Sequence, residues 1–120
     1  MKKILIIDDK EAIAKVLAIY LSSEFECIHF DNPIKALKWL QENNSPDLII
    51  LDIRMPEMSG DDFLIYLKQN DLYKDIPVIM LSSEDSSSDK IRLLSEGAED
   101  YIVKPFNPLE LKVRVKKILD

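Results

Sequence analysis

Four apolar residues in succession, Leu48-Ile49-Ile50-Leu51, end on a single carboxylate, Asp52; the chain then breaks at Pro56 and restarts after Gly60. A short apolar run bounded by turn residues has the pattern of a strand covered on both faces, and such strands belong to parallel sheets. The pattern recurs at Ile4 to Ile7, which ends on Asp8 and Asp9, and at Ile76 to Leu81, which ends on Ser82 and Ser83. Shorter runs lie at Cys27 to Phe30 and Tyr101 to Val103. In the first of these, Ile28 and Phe30 alternate with Cys27 and His29, which predicts an edge strand with one poorly covered face.

Helical periodicity fills each interval. Ile13, Val16, Leu17, Tyr20 and Leu21 share one stripe. Asn32-Pro33 supplies a cap and a first-turn proline for a helix carrying Ala36, Leu37 and Leu40. Gly60 precedes a helix with Phe63, Leu64 and Leu67. A polar stretch from Glu84 to Asp89 leads into a helix with few apolar anchors, Ile91 and Leu94, which Gly97 stops. Ser86 to Ser88 read as capping residues of that helix. Asn107, Pro108 and Glu110 open the last helix with a near capping box, and Leu111, Val115, Ile118 and Leu119 form its inner face.

Strands alternating with helices predict one α/β domain over residues 1–120, with a parallel sheet covered on both faces. The flavodoxin-like, doubly wound order 2-1-3-4-5 places the reversal of strand order between strands one and three. Those strands end on Asp8, Asp9 and Asp52, so three carboxylates would share one crevice. Each pair of such charges repels by roughly 1–4 kcal/mol at about 4 Å, and a cation relieves that repulsion. An all-oxygen cluster suits Mg²⁺. Lys104 ends the fifth strand and can reach the same crevice, which makes a phosphoryl-sized gap between cations, and a carboxylate can itself be the nucleophile. The chain has only Gly60 and Gly97, so neither glycine-rich phosphate loop can form.

Composition narrows the remaining classes. A net charge of −6 argues against nucleic acid or an anionic membrane as a direct partner. No apolar run approaches the roughly 18 residues of a membrane span. One cysteine, Cys27, excludes an internal disulfide and suits a reducing cytoplasm.

Asp8-Asp9, Leu51-Asp52-Ile53-Arg54-Met55-Pro56 with Gly60, Ser82-Ser83, Tyr101 and Lys104-Pro105-Phe106 resemble the receiver domain of two-component response regulators, in order and along the whole chain. The resemblance implies that Asp52 accepts a phosphoryl group from a histidine kinase. It implies Mg²⁺ held by Asp8 or Asp9, by Asp52 and by the main-chain carbonyl of Arg54, with Asp9 the more direct carboxylate. Lys104 would contact the phosphoryl group, and its bond to Pro105 would be a cis peptide. Ser82 would be the switch hydroxyl and Tyr101 the switch aromatic, rotating inward when Ser82 moves. Serine here departs from the more usual threonine, and Ser83 from a small apolar residue.

Near its end the chain is similar to receivers of winged-helix transcription regulators. Those dimerise through the fourth helix, fifth strand and fifth helix, and Lys90, Asp100, Glu110 and Arg114 stand at the positions of their cross-subunit ion pairs. Arg54 and Glu84 could border the site and tune phosphoryl lifetime. A competing reading is an aspartate-nucleophile, Mg²⁺-dependent phosphatase, but such enzymes want a second acid where Arg54 stands. A flavin binder would need a glycine- and hydroxyl-rich loop after strand one. His29, Cys27, Trp39 and Tyr66 read as structural residues.

Overall fold

The computed structural model describes residues 1–83 and 87–120. Five strands alternate with five helices: β1 (Lys3–Ile7), α1 (Glu11–Leu21), β2 (Glu26–Phe30), α2 (Pro33–Gln41), β3 (Leu48–Asp52), α3 (Gly60–Gln69), β4 (Val78–Ser82), α4 (Ser87–Ser95), β5 (Asp100–Val103) and α5 (Pro108–Leu119). The strands form one parallel sheet in the order β2-β1-β3-β4-β5, as the alternation predicts.

Side-chain alternation divides the core into two layers. Leu5, Ile7, Ile49, Leu51, Val78, Met80 and Tyr101 face α2, α3 and α4, where Ala36, Leu40, Phe63, Leu64, Leu67 and Leu93 meet them. Ile4, Ile6, Leu48, Ile50, Ile79, Leu81 and Ile102 face α1 and α5 and pack on Ala14, Leu17, Leu21, Leu111 and Val115. β1, β3 and β4 are therefore apolar at nearly every position, because both of their faces are dry. β2 is an edge strand and is only half covered.

The helix ends follow their capping residues. Asn32 Oδ1 accepts from the N–H groups of Ile34 and Lys35 at 2.7 and 3.2 Å. Asn107 Oδ1 accepts from Leu109 and Glu110 at 2.9 and 3.4 Å. The capping box is not reciprocal, because the Glu110 carboxylate turns to Arg114 instead. Gly97 has φ 114°, the left-handed conformation that ends α4.

Two helices sit rotated from their predicted faces. On α1, Ala14, Leu17 and Leu21 are the buried residues, while Ile13 and Val16 are half-buried and Tyr20 is exposed. Ala14, Leu17 and Leu21, spaced i, i+3 and i+7, form the inner face, and Ile13 packs at its margin. On α4 only Leu93 is buried; Ile91 and Leu94, the expected anchors, are 66% and 38% exposed. Arg92 pairs with Asp61 of α3 at 2.6 Å, and Leu93 packs in the same cluster as Tyr101 and Ala98. β4 begins at Val78, two residues later than expected, because Pro77 lies before the ladder and uses its carbonyl to accept from Ile49 N–H.

Candidate functional site

Strand register assembles the site. Ile7 pairs with Leu51, so Asp8 and Asp52 leave adjacent strands at the same level. Asp52 pairs with Leu81, one residue before Ser82, and Ser82 pairs with Val103, one residue before Lys104. The Lys104 N–H donates to the Ser82 carbonyl at 2.6 Å, and the Lys104–Pro105 peptide is cis. All these residues lie at the carboxyl ends of the strands, around the reversal between β1 and β3, where open α/β sheets bind ligands.

The carboxylates do converge. Asp8, Asp9 and Asp52 each bring an oxygen within 4.8 Å of the others. Asp8 is wholly buried and Asp52 nearly so. The Lys104 ammonium donates to Asp8 Oδ2 and to Asp52 Oδ1, at 3.0 Å in each case. Burial pushes the Asp52 carboxyl up; Lys104 pulls the other way, and Asp8 and Asp9 add to the rise. Burial opposes the Lys104 ammonium, yet its bonds to Asp52 and Asp8 outweigh that and raise its pKa above the ordinary lysine value.

One ammonium cannot balance three carboxylates, and the imbalance falls on one atom. Asp8 has both oxygens engaged, Oδ1 by the Lys10 N–H at 2.9 Å and Oδ2 by Lys104. Asp9 Oδ1 is buried without any hydrogen-bond partner. A buried carboxylate oxygen left unpaired is costly, and a divalent cation bound by Asp9 and Asp52 would relieve it. The residues thus fit a hard, oxygen-ligated ion such as Mg²⁺. They do not act as helix caps: α1 is capped by Lys10, whose side chain makes no cap bond.

The β3–α3 turn closes tightly around Asp52. Met58 N–H donates to the Pro56 carbonyl at 2.9 Å around Glu57, which has φ 74°, so this turn carries local strain. Gly60 is the first residue of α3, capped by Ser59. Its N–H donates to the Ile53 carbonyl at 2.7 Å. A Cβ on Gly60 would stand 2.2 Å from the Asp52 carbonyl oxygen and 2.8 Å from Ile53 Cα. Both obstacles are backbone, so Gly60→Ala must push α3 away from Asp52. We expect it to cost about 3 kcal/mol, near the top of the overpacking range, read as a lower midpoint in urea. The glycine is visible in the sequence only as punctuation; the close approach of backbone that requires it is not.

Ser82 and Tyr101 are both buried, and alternation puts them on the α4 side of the sheet. Tyr101 is 4% exposed and packs in the cluster that holds Leu93 and Ala98. Arg54 is exposed at the rim. Glu84 and Ser86 lie outside the described residues.

Of the expected interface residues, Asp100, Glu110 and Arg114 bond to one another within the chain. Arg114 donates to Asp100 at 2.8 and 2.9 Å and to Glu110 at 3.0 Å within its own chain. Lys90 is exposed. The same region exposes four apolar side chains that periodicity assigned inward or left unassigned: Ile91 and Leu94 on α4, Leu109 and Val113 on α5. Their signal was an apolar residue off the buried stripe.

Three of the residues read as structural, Trp39, Tyr66 and Cys27, pack against aromatic or apolar neighbours. Trp39 stacks obliquely on Phe30 at 6.0 Å, Tyr66 meets Tyr73 at 6.3 Å, and Cys27 packs half-buried against the α1–α5 layer.

Residues 4–116 match the response regulator receiver domain. The chain belongs to that family. This receiver is 40% identical over 119 residues to the phosphate regulon transcriptional regulatory protein PhoB of Pseudomonas aeruginosa, covering 98% of this chain and 52% of that one. The chain spans about half the length of the curated relatives it matches. Among solved structures it resembles the chemotaxis response regulator CheY4 of Vibrio cholerae, with a TM-score of 0.90, 32% identity and 99% of each chain covered. It also resembles the Mn²⁺-bound form of the response regulator Rcp1, with a TM-score of 0.83, 29% identity and 98% and 91% of the two chains covered. As a receiver, the chain works in phosphorelay signalling and carries the flavodoxin-like fold. Among the described residues no helix is long and apolar enough to cross a membrane.

Proposed function

We propose that Asp52 accepts a phosphoryl group from a histidine kinase in a Mg²⁺-dependent reaction, and that Ser82 and Tyr101 pass the change to the face formed by α4, β5 and α5. One observation carries this reading. A lysine ammonium stands 3.0 Å from Asp52 beside a carboxylate cluster in which Asp9 Oδ1 has no partner. Asp9, Asp52 and the Arg54 carbonyl would hold the metal, with Asp8 behind them. The bound ion would neutralise the oxygens of the incoming phosphoryl group. That a structural relative, Rcp1, has a Mn²⁺-bound form agrees with this.

An Asp52 carboxylate oxygen attacks phosphorus as the P–N bond to the donor's phosphoimidazolium breaks; the bonding pair returns to the ring, which leaves as neutral imidazole keeping the proton already on its other nitrogen. Lys104 holds Asp52 in place and then shares the charge of the acyl phosphate. Ser82 can donate to a phosphoryl oxygen, a bond to a charged group worth about 1.5–3 kcal/mol. A full population shift takes roughly 5.5 kcal/mol, so Lys104 and a partner of the active face supply the rest. A reducing cytoplasm suits the single thiol, Cys27, which burial pushes up and keeps unreactive.

Intact mass after incubation with acetyl phosphate tests the reading. The expected result is a gain of one phosphoryl group with Mg²⁺ and none with EDTA. No gain, or a gain indifferent to EDTA, would overturn it.

The exposed Ile91, Leu94, Leu109 and Val113 support a homodimer through α4, β5 and α5, rimmed by Lys90, Asp100, Glu110 and Arg114. Its ion pairs would have to share the in-chain bonds of Arg114. Exposed pairs are individually weak, but Arg114→Glu sets a third negative charge against Asp100 and Glu110. Sedimentation of the phosphorylated protein should show a dimer that this variant loses; an undiminished dimer in the variant would remove these residues from the interface.

A further inference from the structure

His29 has no part in the phosphorylation just described, yet it touches the turn that carries two of the three acids. It is the only histidine in the chain and lies on the edge strand β2. Its Nε2 is 2.9 Å from the main-chain carbonyl oxygen of Asp8. A carbonyl oxygen only accepts, so Nε2 carries the proton in this bond. β2 holds the same residue a second time, because the Asp8 N–H donates to the Phe30 carbonyl at 3.2 Å.

The Asp8 carbonyl and the Asp9 N–H belong to one planar peptide unit. A bond that fixes the Asp8 oxygen therefore fixes the direction in which the Asp9 Cα leaves β1. Asp8 needs no further support, since its carboxylate is engaged by Lys10 N–H and Lys104. Asp9 is the acid whose oxygen is buried without a partner. His29 and Asp9 border the same cleft of about 460 Å³, together with Glu11, Asp31 and Lys35. The imidazole thus reaches the acid turn from the edge strand β2.

We propose that His29 is a positioning residue for the metal. Its Nε2–H holds the Asp8–Asp9 peptide so that the Asp9 carboxylate faces Asp52. The inference rests on the metal reading above. Residues that orient metal ligands from behind change affinity by about 10- to 100-fold when lost. This bond acts through the main chain, so the lower end applies.

Calorimetric titration with Mg²⁺ of the wild-type protein, His29→Leu and His29→Gln tests it, with imidazole ¹⁵N spectra of the wild type alongside. Glutamine can donate an N–H over a similar reach and leucine cannot. We expect a Kd about 10-fold weaker in His29→Leu and within about two-fold of wild type in His29→Gln. The single imidazole should be the Nε2–H tautomer, and its resonance should shift with the same midpoint as metal binding. Wild-type protein that binds no Mg²⁺ would overturn the metal reading and the inference together. Wild-type binding with an unchanged His29→Leu, or with both variants equally weakened, would overturn the inference alone. If His29→Leu does not fold, an imidazole resonance unmoved by Mg²⁺ overturns it equally.

Discussion

Asp52→Asn is expected to gain no phosphoryl mass from acetyl phosphate at any Mg²⁺ concentration, and to lose no stability in metal-free buffer. The first outcome follows because an amide is no nucleophile toward phosphorus. The second depends on the sign of the environment. Burial, then the charges of Asp8 and Asp9, push the Asp52 carboxyl up against the pull of Lys104. A carboxylate whose pKa is higher in the folded chain than in the unfolded one costs stability at pH 7, and the cost fades as pH falls through the folded value. Asparagine carries no such charge, and Lys104 keeps Asp8 as its partner. Its melting temperature without metal should therefore equal or exceed that of wild type. With Mg²⁺ the order reverses. At 100 times its Kd a ligand adds about 2.7 kcal/mol, or about 10 °C for a domain of this size; wild type should gain this and Asp52→Asn should not. Thermal scans with and without Mg²⁺ measure both; a clear drop for Asp52→Asn in metal-free buffer would contradict the assignment of Asp52 as a destabilised charge.

Lys104→Met should do the opposite in the same buffer. Its side chain is 11% exposed, and its ammonium sits between Asp8, whose side chain has no exposure, and Asp52, whose side chain has 7%. Removing the cation from a buried pair leaves uncompensated charge, typically at a cost of about 3–5 kcal/mol. Lys104 has a raised pKa, so its contribution is present throughout neutral pH and is lost only as pH rises past the folded value. Methionine keeps the apolar stem, so the loss reports charge rather than packing. Two rescues should follow. Mg²⁺ should restore most of the stability, because it supplies positive charge to the same acids. Asp8→Asn should be far less harmful in the Lys104→Met background than in wild type. Urea denaturation of the four proteins, closing a double-mutant cycle, gives the coupling directly. Additive losses would mean that the Lys104–Asp8 contact carries no net charge stabilisation.

These predictions rest on features that differ in how far the sequence announced them. The alternation of apolar runs with helical stripes, the caps at Asn32-Pro33 and Asn107-Pro108, and the placement of Asp8, Asp52 and Lys104 at strand ends are local patterns. The structure reproduces them because each is enforced by its own few residues. The convergence of the acids needed one further step, the right-handed crossovers that put β1 beside β3. Where apolar content was thin the stripe misled. α4 has too few apolar residues to announce its own face; in the fold Leu93 packs inward while Arg92 reaches Asp61 on α3.

By itself the sequence determined the fold, the family resemblance and which residues meet at the carboxyl edge, because periodicity and turn chemistry act over short stretches of chain. Only the tertiary structure decided which partners those residues hold. It closed Arg114 onto Asp100 and Glu110, saturated Asp8 while leaving Asp9 Oδ1 unpaired, pressed Gly60 against the Asp52 carbonyl, and brought His29 to the Asp8 carbonyl. Several of these contacts join residues far apart in the chain, and all depend on side-chain and backbone placement within a few tenths of an ångström, which no local pattern of residue types encodes.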